Sequence, residues 1–306
     1  MAIFVLSLPA GYFASAAGQQ VADSTFVPKS LDPAYIEGNG PVVFIDEAHN
    51  NFHTSEGRFQ VFARLLRLDG YFVRSNAEKF TSENLASCDI LVISNALGDE
   101  NVGNWDKPNY SAFTEREVRV INKWVEEGGS ILLIADHMPF PAASEKIAKS
   151  FGVEFNNGYA MPETGSGDVL IFRRSAGTLL DHPITSGRNN REKVNSFATF
   201  TGQAFKVGEN VEPILKFGQG YVSFMPEISW DIKPETEKID ITGWYQGAVM
   251  RYGKGRAAIF GEAAAFTAQL AGGSNPMGMN HPLAFQNSQL VINVMRWLSG
   301  ILEEKN

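Results

Sequence analysis

Three stretches of the chain carry residues that could do chemistry. "SILLIADHMPF", Ser130 to Phe140, is an apolar run that ends abruptly in Asp136 and His137. "VVFIDEAHNN" ends the same way, in Asp46, Glu47 and His49, and "AAIFGEA" ends in Glu262. Imidazole and carboxylates that gather in one place can do three things. They can hold a divalent metal such as zinc, manganese or iron, with three ligands leaving positions open for water. They can move protons as an acid–base set. They can also fix loops through hydrogen bonds. The residue types leave all three open. In the metal reading, Asp46, His49 and Asp136 are the ligands. Asp136, His137 and Glu262 are the catalytic groups, with Glu262 as general base. Glu47, Asn95 and His281 contact the substrate. The Asp46-x-x-His49 spacing lacks the specificity of a helical HExxH pair.

The elements that must position these groups are legible in the hydrophobic pattern. Val42–Ile45, Asp89–Ser94 and Ser130–Ala135 are short, nearly continuous apolar runs, as expected of strands buried on both faces. Between them, Phe59, Phe62, Leu65, Leu66 and Leu68 fall at helical spacing, and "TEREVRVINKWVEEGG" reads as a helix. Thr114 and Glu117 form its capping box, and Gly128-Gly129 stop it. Strand and helix thus alternate through the first half. This order predicts an α/β fold with a mostly parallel, doubly wound sheet. In such sheets ligands bind at the carboxyl ends of the strands. Asp46, Asn95, Asp136 and Glu262 all fall there, which predicts one shared site.

The second half changes character. Residues 153–235, rich in Gly, Asn, Pro and Phe, read as a β and loop insertion into a single α/β domain spanning 41–302. Gly253-Lys254-Gly255 reads as a hairpin turn; it lacks the spacing and following helix of a phosphate loop. His281 lies in a loop before the last helix and could close over the site. His53 reads as loop surface and His182, in "DHPITSG", as a structural turn residue. Trp105, Tyr110, Trp230, Trp244 and Tyr245 lie in or near loops, where they could stack on a sugar or pack satellite clusters.

The net charge of −8 argues against a nucleic-acid partner. The single cysteine, Cys88, precedes its strand and so lies at the opposite edge of the sheet from the site. The first residues, "MAIFVLSLPAGYFASAAG", combine an apolar run with the small-residue pattern Ala14-Ser15-Ala16. Residues 1–17 therefore read as a signal-like segment, cleaved near Ala16 or Ala17, with a polar lead-in over 18–40. Export to a periplasmic or extracellular location follows, and no membrane span is expected after cleavage.

The segments "VVFIDEAHNN", "GGSILLIADH", "DHPITSG", "GWYQGAVMRYGKGRAAIFGEAAAFTAQ" and "GMNHPLAFQNSQLVINVMRWLSG", in this order, resemble the class I glutamine amidotransferase-like fold, a relative of the flavodoxin-like sheet. More narrowly they resemble its DUF4350-type branch, and more distantly ThuA-like and GldG-like proteins. In glutamine amidotransferases the strand-to-helix elbow carries a nucleophilic cysteine. The corresponding position here holds Asp136 and His137, so glutaminase chemistry is not expected. Two functions remain: an exported hydrolase acting on a small polar or carbohydrate-like substrate, and a non-catalytic module that binds a ligand or protein at the same crest.

Overall fold

The computed structural model describes residues 20–28, 32–165 and 169–303. Its strands are β1 (Val21–Ala22), β2 (Val42–Asp46), β3 (Phe72–Asn76), β4 (Ile90–Ser94), β5 (Ser130–Ile134), β6 (Val153–Phe155), β7 (Tyr159–Pro162), β8 (Leu170–Arg173) and β9 (Ser196–Thr199). They continue with β10 (Phe205–Val207), β11 (Glu212–Lys216), β12 (Tyr221–Phe224), β13 (Lys238–Asp240), β14 (Tyr245–Tyr252), β15 (Gly255–Phe260), β16 (Ala268–Ala271) and β17 (Asn275–Gly278). The longer helices are α1 (Gln60–Leu68), α2 (Glu115–Glu127), α3 (Phe140–Ser150) and α4 (Asn287–Leu298).

The main sheet has nine strands in the order β3-β2-β4-β5-β15-β14-β10-β6, with β11 also paired to β14. It is a mixed sheet, which departs from the mostly parallel arrangement expected. Its β3-β2-β4-β5-β15 half is parallel throughout. Beyond β15 every pairing is antiparallel. The reason lies at Gly253-Lys254: the tight β14–β15 turn brings the chain straight back, and a two-residue connection permits only an antiparallel pair.

The parallel strands alternate their side chains between two cores. Val43, Ile45, Val92, Leu132, Ile134 and Phe260 pack on one face with α1 and α4. Phe44, Leu91, Ile93, Ile131, Leu133 and Ile259 pack on the other with α2 and α3. Burial on both faces is why these strands read as continuous apolar runs. Helix α2 has the expected capping box at Thr114 and Glu117, and Gly128, at φ 129°, closes it.

The stretch 153–235 is only in part an insertion, because β6, β10 and β11 join the main sheet. Its remainder builds the β8-β9 pair and supplies β7 and β12, which form a small sheet with β13. A further small sheet, β1-β16-β17, recruits Val21 and Ala22 from the lead-in, paired to Leu270 and Gln269. The signal-like residues 1–17 lie outside the described residues. Among the described residues no helix is long and apolar enough to cross a membrane.

Candidate functional site

Two polar clusters form where the parallel strands end, and the structure separates them. The first grows from β2. Asp46, fully buried at the strand's last position, accepts from His49 Nδ1 at 2.9 Å and from Asn51 Nδ2 at 3.0 Å. The other imidazole nitrogen of His49, Nε2, lies 2.9 Å from Glu117 Oε1. The ring sits between Phe80 and Phe113, with centroids at 4.7 and 4.5 Å. Burial pushes the Glu117 carboxyl up, but hydrogen bonds from Thr114 and His49 outweigh it and hold the group at about 2. A carboxylate on either side of the imidazole occupies both ring nitrogens, so His49 is a closed link between β2 and α2.

The structure does not gather Asp46, His49 and Asp136 into one metal-binding group. Asp46 and His49 spend their hydrogen-bonding groups on each other, on Asn51 and on Glu117, away from Asp136. Among the described residues no group of three His, Cys, Asp or Glu side chains is arranged to hold a metal ion. Glu47 also leaves the expected site: its Oε1 accepts from the Ser55 N–H at 2.8 Å and the Ser55 hydroxyl at 2.6 Å, pinning the loop before α1.

The second cluster is a cavity of about 110 Å³ at the ends of β4, β5 and β15. Asn95, Asp136, His137 and Glu262 line it, as expected of residues at those tips. Asn95 directly follows β4 with φ at 47°, a left-handed conformation that costs a non-glycine residue on the order of 1 kcal/mol. That turn presents Asn95 Oδ1 to the Asp136 backbone N–H at 2.9 Å. His137 Nδ1 lies 2.8 Å from the Met138 carbonyl, so Nδ1 carries the proton and Nε2 is the basic nitrogen. The ring is held by stacking on Tyr159, at 4.7 Å and 16°, and by Trp230 edge-on at 4.6 Å.

Glu262 is 2% exposed. Its oxygens accept from the Ala264 and Ala265 N–H groups at 3.0 and 2.8 Å. Burial, reinforced by the negative charge of Asp136, nevertheless raises its carboxyl well above the usual range. A carboxyl raised in this way favours its protonated form, which suits an acid better than the general base expected from the sequence. Asp136 Oδ2 lies 3.4 Å from the Ala263 N–H, beside Glu262.

Side chains outside the parallel strands complete the walls. His53 is buried, not on the loop surface, with Nδ1 3.3 Å from the Ser94 hydroxyl and its ring against Phe59. Burial, and after it the charge of Arg58, pushes it down to about 3, so it is neutral at ordinary pH. Trp105, Trp230, Phe52, Phe140 and Phe200 give apolar walls, and Gln269 and Met277 come from the β1-β16-β17 sheet. Gly202 lets the Phe200–Thr201 wall approach: at φ 74°, a Cβ there would lie 2.2 Å from the Gly261 carbonyl oxygen.

His281 does not line the cavity. Its ring packs behind Phe200 at 5.4 Å, and its Nδ1 caps the Leu283 N–H. His182 caps the turn at Pro183, as its sequence suggests, with Nδ1 3.1 Å from the Ile184 N–H. Tyr110, Trp244 and Tyr245 are not among the lining residues. Cys88 is buried at the amino end of β4, and burial pushes its thiol up to about 12.

No protein-family profile matches the sequence, and no curated protein matches it. Solved structures do resemble it. The mmIFT52 N-terminal domain superposes with a TM-score of 0.61 at 14% identity, covering 86% of this chain and 99% of that one. A ThuA-like protein from Bacteroides uniformis gives 0.50 at 13%, covering 87% of this chain and 95% of that one. At such identities the likeness is one of fold. The fold is similar to that of the ThuA-like protein, the class I glutamine amidotransferase-like fold.

Proposed function

We propose that the protein is a hydrolase of the DUF4350-type branch, acting on a small polar or carbohydrate-like substrate after export. The observation that carries this reading is the pair Asp136 and Glu262 at one cavity, with the Glu262 carboxyl raised by burial and by its neighbour. Two carboxyls whose environments push their proton affinities apart suit acid–base work near neutral pH. Glu262 donates a proton to the leaving group. His137, with Nε2 unprotonated, takes one from the attacking water, and Asp136 stabilises the imidazolium that results. Trp105 and Trp230 offer faces on which a sugar ring can stack. The parallel half of the sheet is read as the flavodoxin-like core of the family. Export rests on the Ala14-Ser15-Ala16 pattern.

A non-catalytic ligand-binding module is the second reading. It draws on the elbow after β5, where Asp136 stands in place of a nucleophile. Hydrolysis of chromogenic glycosides, esters and amides by wild type, Asp136→Asn and Glu262→Gln separates the two. The hydrolase reading expects one substrate class to turn over, with a loss of about 10²-fold or more in both variants. Turnover of no class, or turnover that both variants retain, contradicts it.

A further inference from the structure

The cavity's hydrogen-bonding inventory narrows what it takes. Among the described residues, its lining holds no lysine or arginine. Asp136 and His137 supply acceptors there. Asp136 is half-buried, and its described hydrogen bonds come only from the His137 and Ala263 N–H groups. His137 offers Nε2, because Nδ1 is committed to the Met138 carbonyl. Gln269 is fully buried; its Nε2 donates to Thr267 Oγ1, and its Oε1 has no hydrogen-bond partner. A buried acceptor left unpaired costs about 1–3 kcal/mol, which a ligand donor would recover if a small shift of the Gln269 side chain turned Oε1 to the cavity. Trp230 Nε1 is an unpartnered donor in the same lining. The walls are aromatic faces, among them Trp105, Trp230 and Phe52.

Surplus acceptors, a carboxyl pair and aromatic walls are the complement of a cation that carries several N–H groups. We propose that the cavity takes a primary ammonium group with a neighbouring hydroxyl, the polar end of a small amino alcohol or amino sugar. The ammonium has three donors and no acceptor, matching Asp136, His137 Nε2 and Gln269 Oε1. Its charge interacts favourably with the indole faces and with the Asp136 carboxylate. The neighbouring hydroxyl oxygen accepts from Trp230 Nε1. Size agrees: the cavity, at about 110 Å³, is smaller than the roughly 150 Å³ space that admits benzene, so only one small group enters. The inference rests on the proposed reading of this cavity as the site, and it names the substrate class.

Three probes of nearly equal size test it: ethanolamine, ethylene glycol and glycolate, the cationic, neutral and anionic members of one shape. Each is titrated into wild type at pH 7, followed by saturation-transfer NMR and tryptophan fluorescence. Ethanolamine is expected to bind at least tenfold more tightly than ethylene glycol, with glycolate weakest. Asp136→Asn should abolish that preference, and Gln269→Leu, which keeps the volume, should reduce it severalfold. Equal binding of ethanolamine and ethylene glycol, or a preference for glycolate, overturns the inference. If that happens while the protein hydrolyses neutral chromogenic glycosides, the hydrolase reading survives alone. If ethanolamine is preferred and no substrate turns over, the ammonium site stands and the non-catalytic reading replaces the hydrolase.

Discussion

Two places in this molecule set a carboxylate close to a histidine just beyond a buried parallel strand, and they have opposite fates. At the end of β2, Asp46 and His49 are both fully buried, and Glu117 closes the set from α2. At the end of β5, Asp136 and His137 are half-buried and share a cavity with Glu262. Nothing in residue type distinguishes the pairs. The difference is a third partner: Glu117 completes the first set internally, whereas the Asp136 cavity keeps a basic imidazole nitrogen and an unpaired glutamine oxygen. Function follows from what a cluster leaves unsatisfied.

That contrast can be broken most severely from the closed side. Glu117→Ala removes one carboxylate from a buried imidazole, and breaking a buried pair costs about 3–5 kcal/mol. Urea denaturation should show a loss of that size, while ethanolamine binding by the protein that remains folded is unchanged. Asp136→Asn should do the reverse, shifting stability by less than about 1 kcal/mol while removing the cavity's ligand preference. Equal stability losses in the two variants would erase the distinction.

A third measurement uses pH. His53 is held down to about 3 in the fold, against an ordinary value of 6.5. The unfolded chain therefore binds a proton before the folded one does. The resulting stability is complete above 6.5 and is lost as pH falls toward about 3, at up to about 1.4 kcal/mol per pH unit for one group. His53→Asn should flatten the acid limb of a stability–pH curve over that window. An unchanged limb would mean that His53 is not buried against the cavity.

The smallest effect is expected at Cys88. Cys88→Ser should cost about 1 kcal/mol or less in stability and leave cavity binding intact, because the thiol lies at the amino end of β4. Loss of ligand binding in a folded variant would move the site to the other edge of the sheet.

The sequence announced those parts whose signals are local. Leu132 to Ile134 could only be a buried strand, and Thr114 with Glu117 marks its helix start three residues apart. Strand tips were therefore locatable, and with them Asn95, Asp136 and Glu262. The antiparallel half was not, because pieces such as Val153–Phe155 and Phe205–Val207 are three residues long and carry no period. The misreading of His49 has a plain cause: its partner Glu117 lies 68 residues away on a helix face, and spacing cannot show that. Thr114 had even announced Glu117 as a capping residue, and one carboxylate serves both roles through its two oxygens. His53 looked like surface because Asn51 and Thr54 flank Phe52-His53, and only the fold covers it. Gln269 gave no signal, since its importance lies in an oxygen that nothing pairs.

The central claim is that Asp136 and Glu262 form one acid–base pair, with the proton on Glu262. Carboxyl carbon NMR of protein carrying ¹³C-labelled glutamate, read across pH, tests it directly. Glu262 should titrate well above the ordinary glutamate value of 4.5 in wild type. In Asp136→Asn it should move down yet stay above 4.5, because burial, the larger cause, persists. A Glu262 that titrates near 4.5 in wild type, or that does not respond to Asp136→Asn, would contradict the account.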